Sequence, residues 1–85
     1  MYIIRSKKNN KYYVGCTGNF ERRLLEHNLG LSKYTRNGRP WIKVYVEEFN
    51  SFSKARTREN QIKGWKKRSA IEKLIISFLD KPNSV

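Results

Sequence analysis

The sequence predicts an α+β fold in which a small three-stranded antiparallel sheet is flanked by helices, in the order β-β-α-β-α-α. Short runs rich in Tyr, Ile and Val alternate with longer segments that repeat apolar residues every three or four positions. Turn-forming and helix-capping residues separate these segments. The 85 residues suffice for one modest core. We therefore expect a single domain over residues 1–80 and a short tail over 81–85, which contains Pro82.

The first half of the chain predicts a β-hairpin followed by a helix. Residues 1–6 and 11–14 resemble strands, and the intervening Lys-Lys-Asn-Asn contains asparagines that suit a tight turn. Asn19 is a candidate N-cap for a helix from residue 20 to about residue 29. The apolar stripe of this helix consists of Phe20, Leu24 and Leu31. Residues 28–40 are polar and basic, as in a loop.

The second half predicts one strand and two helices. Residues 41–49 alternate Ile42, Val44 and Val46 with Lys43, Tyr45 and Glu47, the pattern of a half-buried strand. A helix is expected from Ser53 to about Lys63, ending near Gly64. The run Ser69-Ala70-Ile71-Glu72 resembles a capping box that opens the last helix. The positions of this helix expected to pack on the core are Ile71, Leu74, Ile75, Phe78 and Leu79.

The composition favours a phosphate-containing partner. Nineteen Lys and Arg against seven Asp and Glu give a net charge of +12, which is typical of proteins that bind nucleic acid or an anionic surface. No apolar run approaches the roughly 20 residues of a membrane helix, and no signal peptide opens the chain, so a cytoplasmic protein is expected. One Cys and one His exclude an internal disulfide and a four-ligand zinc site made by one chain.

Two polar residues border the apolar stripe of the first predicted helix. Arg23 and His27 are four residues apart and are therefore neighbours on the helix surface. A cation at the edge of a buried face is costly unless an anion meets it, and a phosphate group would do so. Taken alone, this pair has a simpler explanation, in which Arg23 extends to solvent and His27 has a structural role.

Glu59 differs from the other carboxylates because it lies on the apolar face of the second predicted helix, with Ala55 and Ile62. The ordinary explanation is an ion pair with Arg56 or Lys63. The functional explanation is a ligand for a hard divalent cation such as Mg²⁺, which accepts one or two carboxylates and keeps most of its waters.

The tyrosines of the hairpin have two explanations as well. Tyr2, Tyr12 and Tyr13 lie in predicted strands, where tyrosine packs well whether or not it takes part in chemistry. Tyr13 is followed by Val14 and Gly15, and a glycine at a strand end allows another group to approach the backbone closely.

Together these residues and their spacings resemble the GIY-YIG nuclease family over most of the chain. Tyr13-Val14-Gly15 corresponds to the second half of the family name, and Tyr2, preceded by Met1 rather than Gly, to the first half. Arg23 follows Tyr13 by ten residues, His27 follows one turn later, and Glu59 matches the metal-binding glutamate of the family.

The chain between the first helix and the third strand resembles the small stand-alone bacterial branch, which is similar to the N-terminal nuclease domain of excinuclease C. The resembling runs are Gly30-Leu31-Ser32-Lys33-Tyr34-Thr35-Arg36 and Arg39-Pro40-Trp41. Two positions depart from the family: Cys16 stands where some members have Lys, and Ile71 where some have Asn.

The resemblance implies a phosphodiesterase that cuts nucleic acid, usually DNA, with one Mg²⁺ or Mn²⁺ held by Glu59 and by waters. It implies that Arg23 binds the scissile phosphate, and that Tyr2, Tyr13 and His27 position or deprotonate the attacking water, with the division among the three open. Phosphodiester hydrolysis requires charge stabilisation, a metal and a base, and this set contains a candidate for each.

Two groups of basic residues are expected to contact the substrate beyond the site. They are Lys33, Arg36 and Arg39 in the loop, and Lys63, Lys66, Lys67 and Arg68 after the second helix. Trp65 lies in the second group, where it either stacks on a base or anchors the helix junction. No recognition helix or zinc finger is present, so weak sequence specificity is expected.

Two further functions fit the composition. One is a DNA- or RNA-binding module on the same scaffold with little or no cleavage, and the other is a basic ribosome-associated protein. Neither a partner protein nor an oligomeric state follows from the sequence.

Overall fold

A three-stranded antiparallel sheet forms the centre of the computed structural model, which describes residues 1–79. Its strands are β1 (Tyr2–Ser6), β2 (Tyr12–Gly15) and β3 (Trp41–Val46), arranged in the order β2-β1-β3. In the hairpin, the backbone N–H of Ser6 donates to the carbonyl of Lys11 at 2.9 Å. Asn10 takes a positive φ of 62°, which asparagine tolerates better than most residues. The predicted hairpin and the predicted α+β fold are thus confirmed, while the predicted tail lies outside the described residues.

Three helices complete the fold: α1 (Phe20–Asn28), α2 (Phe52–Lys63) and α3 (Arg68–Leu79). The Asn19 side chain accepts the N–H of Arg22, which confirms it as the N-cap of α1. Helix α2 begins at Phe52 rather than Ser53, because the Ser51 side chain accepts the N–H of Lys54 and so caps the helix. No helix within residues 1–79 is long and apolar enough to span a membrane.

The sheet has an apolar cluster on each face. Helices α2 and α3 pack on one face around Met1, Ile3, Val14, Tyr45, Ile62 and Ile75. Helix α1 packs on the other face, where Phe20 and Leu24 cover Tyr2, Ile4 and Trp41. Because side chains alternate across a strand, neighbouring residues of β1 serve different clusters. This alternation places Tyr2 and Tyr13 on the α1 side.

The predicted alternation of β3 is wrong because the strand contains an irregularity. Ile3 pairs with Tyr45 but Ile4 pairs with Lys43, so Val44 has no partner of its own. An extra residue in one strand changes which face the following side chains occupy. Tyr45, predicted on the polar side, is therefore buried in the α2 and α3 cluster.

Three other expectations need correction. Strand β3 ends at Val46, before Phe49. Leu31 is 70% exposed because α1 has ended and Gly30, with φ of 81°, turns the chain away from the core. Ser69 does not cap α3, which begins one residue earlier; Glu72 instead accepts from Arg68 Nε at 3.0 Å.

Not all of the apolar positions of α3 are buried as expected. Ile75 is buried, and Ile71 and Leu74 pack against the core. Phe78 is partly exposed and lies edge-on to Tyr45, whereas Leu79 is largely exposed.

The loop between α1 and β3 is held to the sheet by side-chain hydrogen bonds. Ser6 Oγ donates to the carbonyl of Gly38 at 2.6 Å, and Trp41 Nε1 donates to the carbonyl of Thr35 at 2.7 Å. The Asn28 side chain pairs with both backbone groups of Trp41. The short 3₁₀ turn Arg36–Gly38 lies within this loop. These contacts give Thr35 a defined place beside α1.

Candidate active site

The candidate site begins where β1 starts and β2 ends. Tyr2 pairs with Gly15 across the two strands. A Cβ atom at Gly15 would lie 2.5 Å from the Tyr2 hydroxyl oxygen, so the absence of a side chain at Gly15 makes room for this hydroxyl. The close approach predicted for Gly15 is thus present, and the group that approaches is Tyr2.

His27 lies beneath this corner and is 0% exposed. Its Nε2 lies 2.9 Å from the Tyr2 hydroxyl, and its Nδ1 lies 2.7 Å from Thr35 Oγ1. The Tyr13 ring packs edge-on against the imidazole, with ring centroids 5.2 Å apart. The structure therefore brings Tyr2, Tyr13 and His27 together. Thr35 was not a sequence candidate, since nothing distinguishes it from the other polar residues of its loop.

Burial controls the charge states of these groups. Loss of solvation raises the pKa of Tyr2 to about 12, although the nearby Arg23 guanidinium opposes the rise. Loss of solvation, followed by the charge of Arg23, lowers the pKa of His27 to about 4. Both side chains are consequently neutral at pH 7.

Arg23 supplies the positive charge at the site. Its Nη1 donates to Glu26 Oε1 at 2.9 Å, and Glu26 also accepts from Arg22 Nε at 3.3 Å. The guanidinium is partly exposed, and its charge affects both Tyr2 and His27. Glu26 thus orients Arg23, a role that its ordinary place on the helix surface did not indicate.

Glu59 lies on α2 near the end of β2, and is 9% exposed. Its Oε2 accepts from Lys63 Nζ at 2.6 Å, so the ion pair with Lys63 considered from the sequence is present. Burial would raise the pKa of Glu59, but the hydrogen bond from Lys63 and the effect of the nearby Cys16 thiol outweigh it, and the pKa is lowered. Lys63 Nζ is also 5.9 Å from the centroid of the Tyr13 ring. Lys63 therefore links Glu59 to the tyrosine side of the site.

Comparison with known proteins shows the family of the chain. The sequence model of a family described as the GIY-YIG catalytic domain matches residues 1–74. The chain belongs to the GIY-YIG family.

Several UPF0213 proteins are similar to this GIY-YIG chain. One from Staphylococcus haemolyticus strain JCSC1435 is 40% identical over 73 residues, which cover 85% of this chain and 88% of the relative. Another from Syntrophus aciditrophicus is 47% identical over 76 residues, covering 87% and 83%. A third from Natronomonas pharaonis is 44% identical over 64 residues, covering 74% of each chain. No solved structure gives a significant match.

Among residues 1–79, one carboxylate suits the divalent metal that the family implies. Within residues 1–79 no group of three or more His, Cys, Asp and Glu forms a closed metal site. Glu59 is the buried carboxylate, and its lowered pKa keeps it ionised. Mg²⁺ binds through one or two carboxylates and retains several waters. Glu59 therefore fits such an ion once Lys63 leaves Oε2.

The basic residues of this GIY-YIG domain form two exposed groups, as the sequence suggested. The loop group is Lys33, Arg36 and Arg39, and the junction group is Lys63, Lys66, Lys67 and Arg68. Arg39 Nε donates to the carbonyl of Arg36 at 2.6 Å, and Arg68 lies over the Tyr12 ring at 4.4 Å. Trp65 packs against the core and under Arg58, so it anchors the helix junction.

The junction group borders a groove of about 430 Å³ between β2 and the α2–α3 junction. Apolar side chains of Val14, Ile62 and Ile71 line it, together with Tyr12 and Tyr13. Lys11 adds a cation on the strand side. Tyr13 lines the groove and also packs against His27, so one side chain borders both the groove and the candidate site. Lys11 and Tyr12 were not candidates for substrate contact, since their part in the groove depends on how α2 packs.

Proposed function

We propose that this chain is a metal-dependent endonuclease that hydrolyses phosphodiester bonds in DNA, with structure-directed or weakly sequence-specific cleavage. The observation that carries the proposal is the buried contact between Tyr2 and His27, which lies close enough to Arg23 and Glu59 for their charges to act on the phenol. Membership of the GIY-YIG family supports a nucleic acid as substrate.

Arg23 is suited to the phosphate. Its partly exposed guanidinium is held by Glu26, so it is oriented before substrate arrives. Oriented positive charge stabilises the additional negative charge of a phosphoryl transition state. We assign this role to Arg23.

Tyr2, Tyr13 and His27 form the hydrogen bonds around the reacting centre. With a pKa of about 12, the Tyr2 phenol is protonated at pH 7 and donates a hydrogen bond. His27 is fully buried and contacts substrate only through Tyr2. Tyr13 is more exposed than Tyr2 and is the better placed to position the attacking water.

Glu59 would hold Mg²⁺ or Mn²⁺. When bound, such an ion polarises a phosphoryl oxygen and stabilises the leaving oxygen. Release of Lys63 from Glu59 would leave its ammonium group near Tyr13 and the groove, where it can meet a phosphate. The two basic groups then hold the strand on either side, and RNA offers them the same phosphate chemistry.

A second candidate function is a nucleic-acid-binding module without cleavage. The contact between Lys63 Nζ and Glu59 Oε2, at 2.6 Å, favours it. If this ion pair persists, the carboxylate is unavailable to a metal, whereas the basic surface still binds phosphate.

A cleavage assay distinguishes the two functions. Plain, nicked and branched DNA is incubated with the protein and Mg²⁺, Mn²⁺ or EDTA, and binding is measured in parallel. The nuclease predicts metal-dependent cleavage that is lost in Glu59→Gln and Arg23→Ala and kept in Glu48→Gln, an exposed carboxylate control. Cleavage that survives in both site variants would indicate a contaminating nuclease. Binding without cleavage by the wild type would favour the binding module.

A further inference from the structure

Thr35 is buried against the candidate site and has an unusual hydrogen-bonding position. Its side chain is fully buried, and its hydroxyl lies 2.7 Å from His27 Nδ1. Among the residues that the structure describes, His27 is the one hydrogen-bond partner of this hydroxyl. The backbone of Thr35 is fixed separately, by its carbonyl bond from Trp41 and its N–H bond to Ser32.

The surroundings of the two hydroxyl groups decide the direction of the bond, because one hydroxyl hydrogen is left over in either case. Neutral imidazole carries one N–H and one acceptor nitrogen, whereas a hydroxyl carries one hydrogen and two lone pairs. If Nδ1 held the hydrogen and donated to Thr35, the Thr35 hydrogen would have no acceptor, and a buried unmet donor is costly. If Thr35 donates to Nδ1, its hydrogen is satisfied and the hydrogen left over is that of the Tyr2 hydroxyl. Tyr2 borders an open cleft of about 580 Å³, whereas Thr35 is fully buried, so the leftover hydrogen is better placed on Tyr2. The ring hydrogen is then on Nε2, 2.9 Å from the Tyr2 oxygen.

We propose that Thr35 is a positioning residue that holds His27 in the Nε2–H tautomer, so that His27 donates to the Tyr2 oxygen and the Tyr2 hydroxyl donates to the substrate. The charge of Arg23 also acts on this hydroxyl. With His27 donating to the phenol oxygen, the Tyr2 hydrogen is the group left to bind a phosphoryl oxygen. The part concerning substrate rests on the proposed nuclease function, while the tautomer does not.

The tautomer is measured directly on the free protein. His27 is the one histidine of the chain, so its two ring nitrogens are identified without ambiguity by long-range ¹H–¹⁵N correlation at pH 7. The expected spectrum shows a protonated Nε2 and an unprotonated Nδ1. A protonated Nδ1 in the wild type would overturn the proposal. This measurement requires neither substrate nor metal.

Two substitutions at Thr35 test its role. Thr35→Val keeps the shape but removes the hydroxyl, and should shift His27 toward a mixture of tautomers. Thr35→Ser keeps the hydroxyl and should retain the wild-type spectrum. Loss of a residue that orients an active-site group typically costs about ten- to hundredfold in activity. We expect that loss in kcat for Thr35→Val, with KM little changed and kcat recovered in Thr35→Ser.

The results separate this inference from the proposed function. A wild type that shows the Nε2–H tautomer but cleaves no substrate would contradict the nuclease and leave the tautomer assignment standing. Wild-type tautomer populations and wild-type kcat in Thr35→Val would overturn the role of Thr35. If Thr35→Val fails to fold, the wild-type and Thr35→Ser spectra still decide the tautomer.

Discussion

Substitution of Gly15 by alanine tests whether the corner between β1 and β2 is built around the Tyr2 hydroxyl. The added Cβ would lie 2.5 Å from the Tyr2 hydroxyl oxygen and 2.7 Å from Cζ. Ordinary van der Waals contact begins at 3.4 Å, whereas the added Cβ would lie 2.5 Å from the hydroxyl oxygen. The phenol must therefore move by about 0.9 Å. Gly15 does not have a positive φ, and the backbone itself therefore accepts alanine.

The expected effect on folding and the expected effect on activity differ in size. Tyr2 is 2% exposed and packs against Phe20 and His27, so its ring has little space to move. Overpacking of this kind typically lowers the free energy of unfolding by about 1–3 kcal/mol. A shift near 1 Å at a reacting group can lower the rate about 100-fold. Activity should therefore fall further than stability.

Gly18→Ala is the matched control, because no heavy atom lies within 4 Å of the Cβ that it would add. Urea unfolding followed by circular dichroism gives the stability of each variant, and initial rates on labelled DNA give the activity. We expect Gly18→Ala to match the wild type in both. The packing argument is refuted if Gly15→Ala unfolds at the wild-type midpoint and cleaves at the wild-type rate.

Three further predictions follow from charge and burial. His27 has a pKa of about 4 when folded and about 6.5 when unfolded, so the unfolded state binds more protons as pH falls. Urea unfolding should therefore show the free energy of unfolding dropping by about 3 kcal/mol from pH 6.5 to pH 4. The drop should be smaller in His27→Gln, which lacks this titrating group. Lys66→Ala and Lys67→Ala should each reduce the log–log salt slope of duplex DNA binding by about 0.9, and an unchanged slope would contradict a phosphate contact. Arg58→Ala should destabilise the fold by about 1–3 kcal/mol, because Glu47 loses its bonds from Arg58 Nε and Nη2; an unchanged urea midpoint would contradict this.

Local patterns predicted most of the secondary structure, because caps and turns act over a few residues. Asn19 caps α1 as expected, and Gly64 follows the last residue of α2. The irregularity at Val44 could not be predicted in this way, since it exists only in the pairing of β3 with β1. Tyr45 was consequently assigned to the wrong face. Long-range pairing thus decides side-chain direction where local alternation fails.

The residues of the candidate site also divide into those that local sequence patterns indicate and those that depend on long-range contacts. Arg23 and His27 could be identified because they border the apolar stripe of the first helix, and Glu59 because it lies on the apolar face of the second. Thr35 gave no such signal, since a threonine in a polar loop violates no pattern. Its role depends on the loop being tied to the sheet through Trp41.

His27 and Glu59 are compensated in different ways, and the difference bears on which of them can exchange partners. His27 is satisfied by Tyr2 and Thr35, which are themselves buried. Glu59 is satisfied by Lys63, whose side chain is 48% exposed, and ion pairs with a partner so exposed typically contribute about 0–1 kcal/mol. Replacing Lys63 by a cation from solution therefore costs little, whereas replacing a partner of His27 would leave a buried group unmet. We accordingly expect the tyrosine–histidine side to be organised before substrate binds, and the carboxylate side to rearrange as it binds.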